Sequence, residues 1–308
     1  MNSISFTSFL KLFEISHPRG IGLLSNNGAN IIAAVNKDQL VVFSGKGDAV
    51  SYKIGESFDF VNLIPGNDTL VFLARNNLQY IFGIDERDAS LEYSQCEFAL
   101  YDCSKQKILR RFVFNDCEIC AISAWENESG VVRLAAVFNQ YSQKFATSSL
   151  YFYKSYADVM DLEFEVLNTI PLSRSSDEII LTASCLKNRL IFLDDFHQTR
   201  LFDLEKDKCF REFLDDDRYP GPLDISTIYQ GIIDFVSEDS YAFHHKESCY
   251  LLNLDGKIIC EYGLSGDASR MFGPQKFLSH SAMIVSNPDL IGLAEQSVVV
   301  RWIFEEDA

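Results

Sequence analysis

The sequence predicts an all-β fold of repeated four-stranded antiparallel sheets, on three observations. Apolar residues alternate or run in blocks of a few residues, with few stripes at helical spacing. A unit in which an apolar strand ends in an aromatic-Asp pair, passes through a polar turn containing Lys and returns as a second strand spans residues 97–112. It recurs at 39–54, 199–214 and 249–262, more loosely at 149–170, and as a half copy at 297–304. Aligning Phe43, Tyr101, Tyr153, Phe202, Leu252 and Trp302 gives a period of roughly 50 residues, the mark of a repeat architecture.

Taken in order, the strands fall into sets of four. The first set is 21–24, 31–35, 40–43 and 49–54, its first two members joined by Ser25-Asn-Asn-Gly28, where Gly suits a positive φ. The second is 58–63, 70–74, 98–101 and 108–114, with the turn Pro65-Gly-Asn-Asp68. The third is 119–125, 131–138, 150–153 and 164–170; the fourth is 179–184, 190–193, 200–204 and 209–213; the fifth is 232–236, 241–244, 250–254 and 258–262. The sixth has only 277–285, 290–293 and 298–304, while residues 9–15 form a strand with no set of their own. Pairing 9–15 with the last set covers two edges that would otherwise stand exposed. The expectation is a single β-propeller domain over residues 1–308, with six blades favoured over seven and the N-terminal strand completing the C-terminal blade. Residues 83–95 and 139–147 read as loop insertions, and 156–167 admits a helical turn.

The period and strand count resemble the WD40-repeat family of β-propellers over nearly the whole chain. Tyr101-Asp102 and Phe202-Asp203 stand where that family has Trp-Asp, while the remaining repeats carry Phe43-Ser44, Tyr153-Lys154, Leu252-Asn253 and Trp302-Ile303. The family's Gly-His pair and the His that bonds the Asp are missing. The resemblance implies a non-enzymatic scaffold for protein partners, a subunit of a larger intracellular assembly in cytoplasm or nucleus. A weaker resemblance is to the PROPPIN family of phosphoinositide-binding propellers, through Ser16-His-Pro-Arg-Gly20 and Leu109-Arg110-Arg111-Phe112. It would make Arg110 and Arg111 lipid-binding residues in membrane trafficking or autophagy.

A net charge of −17 opposes both nucleic-acid backbones and anionic lipid surfaces, which call for Lys and Arg. No apolar run approaches the ~20 residues of a membrane span, and residues 1–10 lack a signal peptide's basic and apolar regions. Eight cysteines lie mostly inside strand-like segments and read as reduced, half of them as small core residues. Cys117-Glu-Ile-Cys120 has half a zinc site's spacing with no second pair to complete it, and strand alternation points the two thiols apart. His244-His245 reads as one inward and one outward side chain, and Asp194-Asp195 lacks the second acid a glycosidase needs. No enzyme, cofactor or metal is expected.

The residues chosen for partner binding come from loop geometry. In a four-stranded meander the loop after the second strand and the loop to the next set leave at the same end. In the fourth set these carry Asp194, Asp195, Phe196 and His197, then Asp215, Asp216, Asp217, Arg218, Tyr219 and Pro220. Five carboxylates beside aromatic or ring side chains suit a basic segment of a partner.

Overall fold

The computed structural model describes residues 2–3, 10–15, 20–23, 30–36, 39–44, 49–82, 89–143, 150–175, 178–194, 198–214, 232–237, 239–245, 248–263, 275–277, 283–286 and 297–301. Two short N-terminal strands, Asn2–Ser3 (β1) and Leu10–Ile15 (β2), precede the repeats. The first sheet follows as Gly20–Leu23 (β3), Asn30–Asn36 (β4), Gln39–Ser44 (β5) and Ala49–Lys53 (β6). Phe60–Leu63 (β7), Leu70–Phe82 (β8), Ala89–Asp102 (β9) and Lys107–Asn115 (β10) make the second. The third is Cys117–Glu126 (β11), Val132–Gln143 (β12), Leu150–Met160 (β13) and Val166–Pro171 (β14). Ile180–Leu186 (β15), Arg189–Asp194 (β16), Gln198–Asp203 (β17) and Lys208–Leu214 (β18) form the fourth. The fifth is Ile232–Ser237 (β19), Ser240–His245 (β20), Ser248–Asn253 (β21) and Ile258–Gly263 (β22). Gln275–Phe277 (β23), Met283–Ser286 (β24) and Ser297–Arg301 (β25) end the described chain.

Each of the first five sets is an antiparallel meander in chain order. The last sheet has the order β2-β25-β24-β23, so its outer strand comes from the other end of the chain, with Leu10 opposite Arg301 and Ile15 opposite Ser297. β1 adds to β22 as a parallel fifth strand, Asn2 opposite Tyr262. The apolar run 277–285, expected as one strand, is two antiparallel ones, because the polar Ser279-His280-Ser281 falls between β23 and β24. The expected strand 290–293 lies outside the described residues. Deleting residues 1–15 removes β1 and β2 and uncovers the outer edges of β22 and β25; the truncated protein should aggregate. A monomeric truncation with an unchanged melting temperature would exclude this role.

Successive sheets touch through their first strands: β3 against β7, β7 against β11, β11 against β15, β15 against β19 and β19 against β23. The core lies between them. Along β12, Leu134, Ala136 and Phe138 face the second sheet, while Ala135 and Val137 face the fourth. Along β16, Leu190 and Phe192 pack toward the third sheet, Ile191 and Leu193 toward the fifth. A strand buried on both faces reads as an unbroken apolar run rather than an alternation, the pattern of 134–138 and 190–193.

The Asp of the repeated unit caps its own turn. Asp102 Oδ1 accepts hydrogen bonds from the Ser104 and Lys105 backbone N–H groups, and Oδ2 pairs with Lys105 Nζ at 2.8 Å. Asp203 takes the N–H groups of Glu205 and Lys206, and Asn253 those of Asp255 and Lys257. These are Asx turns, which Asp and Asn favour because the short side chain reaches backbone a few residues ahead. The third repeat carries the same device at Met160-Asp161, where Asp161 Oδ1 accepts from Glu163 and Glu165. The aligned pair is therefore Met160-Asp161 and not Tyr153-Lys154, which lies within β13. The expected helical turn in 156–167 is the end of β13, this turn and the start of β14. Within it Phe164 has φ 64, strained for a bulky residue, and is held there by packing against Phe72 and Phe98 of the second sheet.

Candidate protein-interaction surface

Within the segments expected as loop insertions, the described residues 89–95 and 139–143 are paired strand. β8 and β9 stay paired from Leu70 opposite Asp102 out to Phe82 opposite Ala89. β12 and β13 stay paired out to Gln143 opposite Leu150. Each ribbon has a register shift as it leaves its sheet, at Gln79/Tyr80 in one and Gln140/Tyr141 in the other, and such bulges re-aim a ribbon by adding local twist. Both are second-to-third-strand connections of adjacent sheets, so they leave at the same end. Beyond the shifts the paired segments contain Tyr80, Ile81, Phe82, Leu91 and, in the second, Tyr141, Leu150, Tyr151 and Phe152.

Two asparagines tie the ribbon bases to the neighbouring sheets. The Asn76 side chain donates to Ile119 O at 3.0 Å and accepts from Ile119 N–H at 2.8 Å. The Asn139 amide does the same with Ile180, at 2.9 and 3.0 Å, and its oxygen also accepts from Ser155 Oγ at 2.6 Å. Ile119 and Ile180 each sit at a bulge of a first strand, where ladder bonds are missing. An amide supplies the donor and the acceptor that such a break leaves unpaired.

Below the first ribbon, Arg75 and Glu97 face each other across β8 and β9, and Arg111 on β10 pairs with both Glu97 and Glu56. Arg110, on the opposite face, pairs with Glu163 of the third sheet. Both arginines of the lipid-binding reading are thus engaged by carboxylates of the same chain. Similar polar links join β14 and β18 to the next sheet's final turn: Asn168 to Asp207 at 3.4 Å and Arg211 to Asp255 at 2.7 Å.

The predicted acidic rim divides differently. Asp194 is 0% exposed. Its Oδ2 pairs with Arg200 Nη2 at 2.7 Å, and its Oδ1 accepts from Gln198 N–H at 2.8 Å. Arg200, 2% exposed, also pairs with buried Glu178, donates to Leu172 O at 2.7 Å and stacks on the Phe192 ring at 4.7 Å. Burial pushes the Arg200 guanidinium down to about 10, so it remains a cation at neutral pH. Asp194 is therefore withdrawn from the rim: its charge is spent inside. Asp195, His197, Asp215, Asp216, Asp217 and Tyr219 lie outside the described residues.

Among the described cysteines, Cys117 packs between the second and third sheets and Cys120 between the third and fourth. Burial pushes the Cys103 thiol up to about 12 and raises Cys96 and Cys117 as well, which keeps them protonated. Among the described residues no group of three or more His, Cys, Asp or Glu could hold a metal ion. The side chains of His244 and His245 are outside the described set. No helix among the described residues is long and apolar enough to cross a membrane.

Several carboxylates give the fold a definite response to acid. Hydrogen bonding by Arg111 lowers the Glu56 carboxyl, by Lys105 that of Asp102, and by Arg174 that of Glu212. Each binds its proton less tightly folded than unfolded, so its contribution is present above the unfolded range near ~4 and is lost as pH falls through the lowered values. Asp158 is raised by burial and acts in the opposite sense, its cost easing on protonation. With three groups against one, the urea midpoint should fall as pH drops below ~4, and Glu56→Gln should flatten that fall. An identical acid response in wild type and variant would remove Glu56 from this account.

A meander of four strands, repeated and packed sheet upon sheet with the chain ends sharing one sheet, defines an all-β repeat protein. The crystal structure of Raptor from Chaetomium thermophilum has a similar fold, with a TM-score of 0.50 at 8% sequence identity over 96% of this chain. The chain spans 29% of that protein's length, and at this identity the likeness bears on fold alone. No family model matches the sequence, and no curated protein matches it.

Proposed function

We propose that the protein is a non-enzymatic scaffold, its six sheets the blades of a closed propeller, that holds protein partners on the paired hairpins of the second and third sheets. The observation that carries this reading is the continued strand pairing of β8–β9 and β12–β13 beyond their bulges, in segments whose sequence is rich in Tyr, Phe, Leu and Ile. Aromatic residues on a rigid element make good anchors because they bring large contact area at little entropic cost. The Raptor likeness supports the sheet architecture. The loops bearing Asp195 and Asp215, Asp216 and Asp217 extend the proposal: they would steer a basic partner segment by charge. Nothing favours the phosphoinositide reading, since Arg110 and Arg111 are paired within the chain and the net charge of −17 repels anionic lipid.

The test is affinity purification with mass spectrometry, comparing wild type with a variant in which residues 78–94 and 141–153 are replaced by short turns. Partners should be lost while the melting temperature is kept. Recovery of the same partners at the same yield would move the interaction elsewhere. Liposome flotation with phosphoinositide vesicles is expected to show no bound protein at physiological salt, and saturable binding would promote the lipid reading.

A further inference from the structure

We infer that the outer edge of β10 is a docking site for an extended apolar segment of a partner protein, added as a fifth strand to the second sheet. An outer strand presents one row of unpaired backbone N–H and C=O groups, and proteins commonly guard it with charges, Pro or short length. Among the described residues no strand pairs with the outer edge of β10. At 9 residues it is longer than the outer strands β6, β14 and β18, of 5, 6 and 7 residues. Lys53 ends β6 and Pro171 ends β14. β10 exposes three apolar side chains, Leu109, Phe112 and Val113, at 38%, 42% and 42%, against Val50 on β6 and Val166 and Leu167 on β14.

The charges on β10 do not guard its edge. Arg110 is drawn to Glu163 on one face and Arg111 to Glu56 and Glu97 on the other, so the middle of the strand is electrically balanced. A neutral edge disfavours a phosphate or an acidic peptide and suits an uncharged strand. Phe112 gives such a strand somewhere to pack. Its ring lies 4.7 Å from Phe114, which continues inward to Phe98 and Phe138 at 5.2 Å each, so Phe112 is the exposed end of an aromatic row. The fold already accepts a strand at an equivalent place: β1 lies on the outer edge of β22 in the fifth sheet. Main-chain hydrogen bonds supply affinity in this mode, and alternate side chains supply selectivity.

The probe is a display library of random peptides long enough to form one strand, selected on the purified protein. The selected peptides should share apolar residues at every second position. They should bind Phe112→Lys/Val113→Lys at least about tenfold more weakly, while that variant keeps its urea midpoint because both side chains are exposed. Methylating alternate backbone nitrogens in one register of the peptide should abolish binding, since it removes the donors that pair with the edge. Peptides that bind the variant equally, survive methylation in both registers, or fail to emerge would overturn the assignment. A wild-type protein that dimerises while the Lys variant stays monomeric would give the edge to a second copy of this chain. Binding should persist in the protein with shortened hairpins, which separates this site from the hairpin reading.

Discussion

Arg200→Met is expected to destabilise the protein by about 3–5 kcal/mol, because it leaves Asp194 and Glu178 buried without their cation. That is a large share of the roughly 5–15 kcal/mol by which a domain is folded, so the variant should accumulate poorly and melt early. The loss would measure uncompensated charge rather than the worth of the ion pairs. Replacing all three residues together, Arg200→Met with Asp194→Leu and Glu178→Met, should therefore recover most of the stability, since apolar side chains of similar size can fill a buried ionic site at little net cost. The measurement is the urea midpoint of the four proteins: wild type, the arginine variant, the carboxylate pair and the triple. An arginine variant within about 1 kcal/mol of wild type would mean that water reaches the cluster and screens it.

Phe98→Ala should cost about 3–5 kcal/mol, the range for removing a buried ring that cannot be replaced by local collapse. Its ring meets Phe72, Phe114, Phe138 and Phe164 at 5.5, 5.2, 5.8 and 6.1 Å, so the cavity would open between two sheets at once. Phe112→Ala, on the exposed end of the same row, should cost less than about 1 kcal/mol. Chemical denaturation of both variants decides the point: equal losses would show that the row is not anchored where Phe98 is buried.

The existence and order of the strands were legible in the sequence because their signals are local. Short apolar runs set off by polar turns place β3 to β22 close to where they lie, and the Asx residues Asp102, Asp203 and Asn253 announce turns that need only their own neighbours. The pairing of the chain's two ends was legible for a related reason: a set lacking one strand and a strand lacking a set have complementary edges.

Where the signal was long-range, the tertiary structure decided. Sequence alone aligns the third repeat at Tyr153-Lys154 because Met160 fills the buried place that Tyr101 and Phe202 fill in theirs, and only packing shows that Met160-Asp161 and Tyr101-Asp102 do the same work. Residues 83–95 and 139–147 read as loops, since polar residues interrupt the runs; yet their described parts, 89–95 and 139–143, are paired strand, because cross-strand backbone bonds do not depend on burial. Asp194 looked like surface charge beside Asp195, and nothing local says otherwise. Its burial follows from Arg200 and from Glu178, each brought there by a different strand or linker. Composition and alternation thus determined that the chain makes sheets and the order in which its strands follow one another. Which charges stay in water, which edges stay open and which turns reach a neighbour were set by the packing of one sheet on the next.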